Sequence, residues 1–521
     1  MSSLGARAGL ACARLGAALV VLTGLCAGSL VSHWHLIGCG LFALGTSVLA
    51  LLGELGEDAW WPGERTFWSL FTVVGIGQLV LIWAAYYDMA FPLGDTGYYA
   101  QKLINLALHG RFTSEALSIH ALADHFTPTL FALAPLFRIW PTFVWLPLCK
   151  VGAFLATALI LVPLSRDILG PQSPLRWFLP TLWLVHAVVA YGVIFDWQAT
   201  QLAPPLIVLT FLCALRNRPF ATAVCLVLLA GLKEDLPLVW VCLGFWLRVE
   251  HRRPSTGNVV IVLGILVGLV IIAIVMPAFA GGPLGHTRLI GPTASLHLKL
   301  LLVVSCLVSL GGLPLARPRT LIWTLPAFSI QLISSMPSFY SFRYPYQLPV
   351  ITLLFIASIY GLRDVECGAG PLRHLPTRLR SLVIALGLTA MLASSFMLPF
   401  YPARLRWPTP ETRETRLELV ALRESLPAGV PIYTTEWLFV WLLPREGVYH
   451  LYPRKAPDYT GEHILLLQKV ASDGDDEDLA RQRLDLQLCR DEIARGVTSL
   501  VADTPHLLAF QRHVPVPKLP R

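Results

Sequence analysis

Apolar residues run through this chain in long blocks separated by short polar connections, and strand-like segments appear only in the C-terminal part. Blocks fall at about Gly9 to Leu30, Trp34 to Gly53, Phe67 to Tyr87, Pro147 to Ser165, Phe178 to Phe195, Leu202 to Leu215 and Phe220 to Leu232. They continue at Leu236 to Leu247, Val259 to Phe279, Leu296 to Leu313, Leu321 to Met336, Tyr346 to Leu362 and Ser381 to Phe400. Because about twenty apolar residues span a bilayer, the pattern predicts an all-α polytopic membrane protein with about thirteen transmembrane helices. The first block, with Arg7 and Arg14 before and within it, reads as a retained helix and not a signal peptide, since further spans follow at once. Asp88 to Phe126 is a polar connection, and Thr127 to Trp140, with Pro128, Pro135 and Arg138, reads as a helix lying in the interface.

From Tyr401 the character changes. An amphipathic stretch over Glu411 to Ser425 precedes strand-like segments at Val430 to Thr434, Gly447 to Tyr452 and His463 to Leu467. A helix near Glu477 to Ala494 and strands around Thr498 to Ala502 and His506 to Gln511 follow, which predicts a small α/β domain over 401–521. Arginine sets the orientation, because cytoplasmic loops hold the basic excess. With the N-terminus inside, Arg166 and Arg176, Arg216 and Arg218, Arg248 to Arg253, Arg317 and Arg319, and Arg363 to Arg380 all fall on inner loops. The acidic loop Glu54 to Arg65 dissents, but acidic residues weigh little in this rule. An odd number of spans then places the tail outside the cytoplasm.

Composition agrees. Of 521 residues 55% are hydrophobic and 14% charged, against roughly 25% charged in soluble domains, which excludes a soluble multidomain enzyme. The net charge of +8 comes largely from the loop arginines, so nothing points to a nucleic-acid surface. Ten cysteines are scattered without a CxxC pair, and neither HExxH nor a Walker A motif occurs, which argues against zinc and against ATP-driven transport by this chain alone.

The predicted topology brings Asp88, Asp95, His109, His120, Asp124, His125, Asp196, Lys233, Glu234, Asp235, His286, Arg288, Arg343 and Tyr346 to the outer side, from five loops. Ionisable groups at membrane boundaries are costly unless they pair or line an aqueous cavity, so this convergence predicts one site. Asp95, between Gly94 and Gly97, suits a general base on an acceptor hydroxyl; it equally suits an N-cap for a helix over Thr96 to His109. Lys233-Glu234-Asp235 reads either as a stop to the preceding span or as a set that neutralises phosphate and orients a basic partner or cation. Asp88 and Asp95 suit a shared divalent cation, although their spacing is no metal motif. Arg343, among aromatics before a span, is either an interfacial anchor or a two-pronged phosphate contact, with Lys233 or Arg288 assisting.

Taken in order, several motifs resemble the bacterial predicted membrane proteins called domain of unknown function 2079, a branch of the GT-C glycosyltransferase superfamily. They are Asp95-Thr96-Gly97-Tyr98-Tyr99-Ala100-Gln101, His109-Gly110-Arg111-Phe112, Asp124-His125-Phe126-Thr127-Pro128, Phe195-Asp196-Trp197, Leu232-Lys233-Glu234-Asp235 and Tyr346-Gln347-Leu348-Pro349, with Leu426-Pro427-Ala428-Gly429 in the tail. The resemblance implies a GT-C-like transmembrane domain over 67–400 with its first large outer loop at 88–140, preceded by an extra hairpin over 1–66. It implies a polyprenyl-phosphate sugar donor, a glycan, lipid or protein acceptor, an inner-membrane location, and a catalytic aspartate at Asp95. Two positions depart from the family pattern, Gln198 and Pro345, where histidine is usual. A transporter or flippase for a lipid-linked or small polar substrate is the rival reading, and a glycan-binding sensor a third. No internal repeat of the transporter kind is evident, and the ionisable groups gather at one edge.

Overall fold

The computed structural model describes residues 63–87, 94–114, 119–186, 195–282, 296–310, 312–340, 345–369, 410–450, 462–469, 490–496 and 498–512, with residues 189, 192 and 487. The expected spans at Gly9 to Leu30, Trp34 to Gly53 and Ser381 to Phe400, and the residues Asp88, His286, Arg288 and Arg343, lie outside these.

The chain is largely helical. Helix α1 is Glu64–Tyr87 and α2 is Gly94–His109, followed by the short antiparallel pair β1 (Thr113–Ser114) and β2 (Ile119–His120). Then come α3 (Trp145–Leu169), α4 (Phe178–Val185), α5 (Ala203–Leu215), α6 (Pro219–Ala230), α7 (Leu238–Val249), α8 (Pro254–Ala280), α9 (Leu296–Val308), α10 (Thr320–Ile333) and α11 (Leu348–Glu366). Among the described residues three helical stretches are long and apolar enough to cross a membrane: Trp145–Leu169, Pro254–Ala280 and Pro345–Glu366. Helices α5, α6 and α7 have 13, 12 and 12 residues, about 18 to 20 Å at 1.5 Å per residue, and each falls short of the roughly 30 Å hydrocarbon core. The expected count of thirteen spans is therefore not reached among the described residues.

Local chemistry explains where helices break or meet. The segment expected as one interfacial helix is two pieces, a 3-10 turn Pro128–Leu133 and an α-helical Ala134–Ile139, because Pro135 lacks the N–H that a continuous helix would use, whereas Pro128 only opens the first piece. Helix α8 carries a π segment at Ile271–Val275. It lies close along α7, where a Cβ on Gly244 would stand 2.6 Å from the Gly257 carbonyl oxygen. Small residues allow such close backbone approach between membrane helices. Helix α11 is buried along nearly its whole length and forms the centre of the helical body.

The C-terminal unit begins with α12 (Pro410–Ser425) and continues through β3 (Ile432–Thr434), α13 (Glu436–Leu442), β4 (Val448–His450), β5 (His463–Gln468), β6 (Thr498–Asp503) and β7 (Leu507–Arg512). Its five strands form one mixed sheet in the order β4-β3-β5-β7-β6. Strand β3 runs parallel to β4 and β5, and β7 runs antiparallel to β5 and β6. A buried ion pair, Arg512 to Glu492 at 2.5 Å and 2.7 Å, holds the last strand.

Candidate functional site

The site is organised around the N-terminus of α2. A helix start leaves amides without intrahelical partners and carries partial positive charge. Asp196, about a hundred residues away in sequence, satisfies them: its carboxylate accepts from the Asp95 N–H at 2.7 Å and the Thr96 N–H at 3.1 Å. It also accepts from the Thr96 hydroxyl and, at 2.8 Å, from the Trp197 N–H. Burial pushes the Asp196 carboxyl up to about 6, against those bonds and the nearby Lys150 ammonium. Asp196 is thus the cap of α2, provided from a distant loop.

This answers the N-cap alternative for Asp95. Asp95 lies inside the first turn of α2, and the capping acceptor is Asp196. The Asp95 carboxylate instead accepts a 2.5 Å hydrogen bond from the Gln198 side-chain amide. Gly97 serves packing between elements. It sits within the helix, where a Cβ would come within 2.5 Å of the Phe439 ring, so its bare backbone lets α13 pack directly on α2. The Gln101 amide donates to the Val448 carbonyl at 3.1 Å, tying the same helix to β4.

One turn beyond Asp95 stands Tyr99, buried against Trp197 with ring centroids 4.7 Å apart. Burial, together with the carboxylates of Asp124, Asp95 and Glu234, raises the Tyr99 hydroxyl well above its ordinary value. Three of the expected site carboxylates therefore surround one phenol. Asp124 pairs with the fully buried Lys102 at 3.0 Å, and the Lys102 ammonium lies 4.6 Å from the Tyr99 ring centre. In the sequence Tyr99 figures only as part of the Asp95 motif and Lys102 has no assigned role; a lysine and a tyrosine one turn apart on α2, on the face bearing Asp95, are the signal that pattern reading could have used.

The Lys233-Glu234-Asp235 segment is the turn between α6 and α7. It is drawn toward Asp124 and His125 because the Thr129 N–H donates to the Gly231 carbonyl at 2.8 Å and the Thr129 hydroxyl to that of Leu228 at 2.7 Å. Glu234 then accepts from His125 Nδ1 at 2.9 Å and from the Phe126 N–H at 3.2 Å. Burial alone would raise the Glu234 carboxyl, but His125 and Lys233 outweigh it and hold it at about 2. The reciprocal effect of Glu234 raises His125, against its own burial. Asp235 is raised by burial.

Lys233 is 3% exposed and its ammonium has no hydrogen-bond partner among the described residues. It lies 3.6 Å from Asp235, and 4.3 Å and 5.5 Å from the ring centres of Tyr346 and Phe339, which stack on each other at 4.7 Å. Cation–π contact offsets part of the cost of desolvating this charge without using its N–H groups. Among the described residues no group of three or more His, Cys, Asp or Glu side chains gathers as a metal site would require. The structure thus brings Asp95, Asp124, His125, Asp196, Lys233, Glu234, Asp235 and Tyr346 into one neighbourhood. Arg288 and Arg343 lie outside the described residues.

Comparison with known proteins places this geometry in a known fold. No curated protein matches the chain in sequence. Among solved structures it is similar to ArnT from Cupriavidus metallidurans bound to undecaprenyl phosphate, with a TM-score of 0.53 and 14% identity over 86% of this chain and 98% of that one. It is similar also to the apo state of the same protein, with a TM-score of 0.51 and 13% identity over 84% and 97%. At such identity the likeness is one of fold. The sequence profile described as "Predicted membrane protein (DUF2079)" matches residues 86–416, which include every site residue described above, and the chain belongs to that family.

Proposed function

We propose that the protein is an integral membrane glycosyltransferase of the GT-C type, moving a sugar from a polyprenyl-phosphate carrier to an acceptor hydroxyl outside the cytoplasm. The observation that carries this reading is the Asp95 carboxylate, presented by a capped helix and bonded by the neutral Gln198 amide. It lies within a cluster that also holds the buried Lys233 ammonium, which has no hydrogen-bond partner among the described residues. Such a pair suits a base for the acceptor and a cation for the donor. The fold shared with a protein crystallised with undecaprenyl phosphate supports a lipid-linked donor.

In the proposed step the acceptor oxygen forms its bond to the anomeric carbon while its proton passes to Asp95. The bond from that carbon to the phosphate oxygen breaks, and its electron pair leaves with the polyprenyl phosphate. Negative charge grows on that phosphate, where a fixed cation is most effective. Arg343 is the proposed leading contact, with Lys233 or Arg288 assisting; lysine at position 343 would keep the charge and lose the two-pronged geometry. If the reaction uses a divalent cation, Asp88 and Asp95 would hold it and it would neutralise charge on the donor phosphate; added EDTA should then lower turnover. The location proposed is a bacterial inner membrane with the N-terminus cytoplasmic. A single cysteine near Asp475 should accordingly react with an impermeant reagent in intact spheroplasts.

The test is a screen of radiolabelled polyprenyl-phosphate sugars with the purified protein and its Asp95→Asn variant. Transfer by the parent and its loss by about 10²-fold or more in the variant, at equal thermal stability, are expected. Undiminished transfer by a folded Asp95→Asn protein would reject Asp95 as the base. Net movement of a labelled lipid across vesicles without transfer would favour the transporter reading.

A further inference from the structure

A cavity of about 280 Å3 lies where the C-terminal unit meets the helices. Its walls are Leu79 and Trp83 of α1, Leu148 of α3, Trp441 of α13, and Arg416 and Arg423 of α12. The apolar wall opens outward: Leu79, Trp83 and Leu148 are 40%, 58% and 41% exposed, and the same surface of α1 continues through Val80, Ile76 and Val73. Both charged lining residues are arginines. The Arg416 guanidinium lies 5.9 Å from the Trp441 ring centre. Arg423 donates from one nitrogen to the Trp441 and Leu443 carbonyls at 3.4 and 3.2 Å, and its other terminal nitrogen is 3.8 Å from the exposed Glu424.

We infer that this groove holds an anionic glycerophospholipid of the surrounding bilayer, with its phosphate against Arg416 and Arg423 and one acyl chain along Leu79, Trp83 and Leu148. Charge complementarity selects the headgroup, since two guanidinium groups crown a wall that is otherwise apolar, and arginine matches phosphate with paired donors. Tryptophan at the rim suits the level of a membrane–water interface. Position selects the lipid source. None of Asp95, Gln198, Lys233 or Glu234 lines the groove, and α13 packs on α2 at Gly97 and Tyr98 through Phe439, so a molecule bound here is not presented to the proposed reacting groups. It is a resident lipid that fastens the C-terminal unit to the bilayer, and the inference stands whether or not the chain transfers sugars.

The test is native mass spectrometry of the full chain with dioleoylphosphatidylglycerol, dioleoylphosphatidylcholine or undecaprenyl phosphate. A photoreactive diazirine phosphatidylglycerol then maps the position. The expected result is retention of phosphatidylglycerol about tenfold tighter than phosphatidylcholine, as the loss of one charge-assisted contact implies, with cross-links on the peptides bearing Leu79 and Leu148. Arg416→Gln should remove most of that preference, and Leu148→Trp, which fills the groove, should abolish the cross-link. Equal retention of the two glycerophospholipids by the unmutated protein would overturn the inference, and needs no variant to fold. Cross-links elsewhere, or displacement of phosphatidylglycerol by undecaprenyl phosphate at equal concentration, would overturn it too.

Discussion

Two charged clusters lie at different ends of the helices, and they are built on different principles. In the first, Arg317 is 11% exposed and donates to both Glu250 oxygens, at 3.4 and 2.6 Å, and to Asp364 at 2.5 Å, with Arg319 3.5 Å from Glu250. Its guanidinium is matched by carboxylates, and the cluster locks the ends of α7 and α11 together. In the second, around Asp95, the Lys233 ammonium is more deeply buried yet finds no hydrogen-bond partner among the described residues, and a neutral amide donates to Asp95. A saturated cluster has nothing left to offer a ligand, whereas a buried ammonium with unused N–H groups retains binding energy for one. The comparison locates the site by what its charges leave unused, since charge alone marks both.

The difference is sharpest under removal of one cation from each. Arg317→Met should destabilise the protein by about 3 kcal/mol, because it leaves Glu250 and Asp364 buried without their main partner. Thermal unfolding in nanodiscs would show this, with turnover per folded molecule kept. Lys233→Met should do the reverse: little change in unfolding temperature and about 10²-fold less transfer, the scale of losing one well-placed donor to developing charge. Should Lys233→Met unfold early and turn over like the parent, both clusters are structural and the contrast fails.

Much of the scaffold was legible because hydrophobic blocks speak directly. Helix α1 was expected from Phe67 to Tyr87 and runs from Glu64 to Tyr87, and strand β5 was expected from His463 and starts there. Helix α13, Glu-Trp-Leu-Phe-Val-Trp-Leu, was not anticipated: six consecutive apolar residues after Glu436 carry no helical period. At the site, Asp95, Asp124, His125, Asp196 and Glu234 were each singled out, but how they pair was not. The Asp196 cap, the Gln198 bond to Asp95 and the Lys102 pair with Asp124 join residues 101, 103 and 22 positions apart. Such pairings are set by how helices pack, which residue spacing does not encode.

Gln198 sharpens the comparison further, since its neutral side-chain amide donates to the Asp95 carboxylate at 2.5 Å. Gln198→Leu removes one hydrogen bond to a charged group and should lower turnover about tenfold with donor affinity unchanged. Gln198→His restores a donor but introduces a titrating group beside Asp95, so its pH–turnover profile should differ from the parent's around 6.5. Identical pH profiles for Gln198→His and the parent would show that position 198 does not touch the reacting base.

The smallest effect concerns His125 and Glu234, a pair in the second cluster that, like Lys102 with Asp124, resembles the first. Glu234 is held at about 2, below its ordinary 4.5, so its contribution is present above pH 4.5 and is lost as pH falls through about 2. His125 is raised above its ordinary 6.5, so its contribution is complete below pH 6.5 and is lost as pH rises through the higher folded value. Both hold together only between about pH 4.5 and 6.5. The stability gap between parent and His125→Gln should therefore be widest there, about 1 kcal/mol for a charge-assisted bond open in part to solvent, and should shrink toward pH 9. Glutamine keeps a donor near Glu234, which isolates the charge from the hydrogen bond. A gap constant from pH 5.5 to 9 would mean that His125 acts as a neutral donor, leaving Lys233 as the closest cation to Glu234 and the second cluster still less saturated than the first.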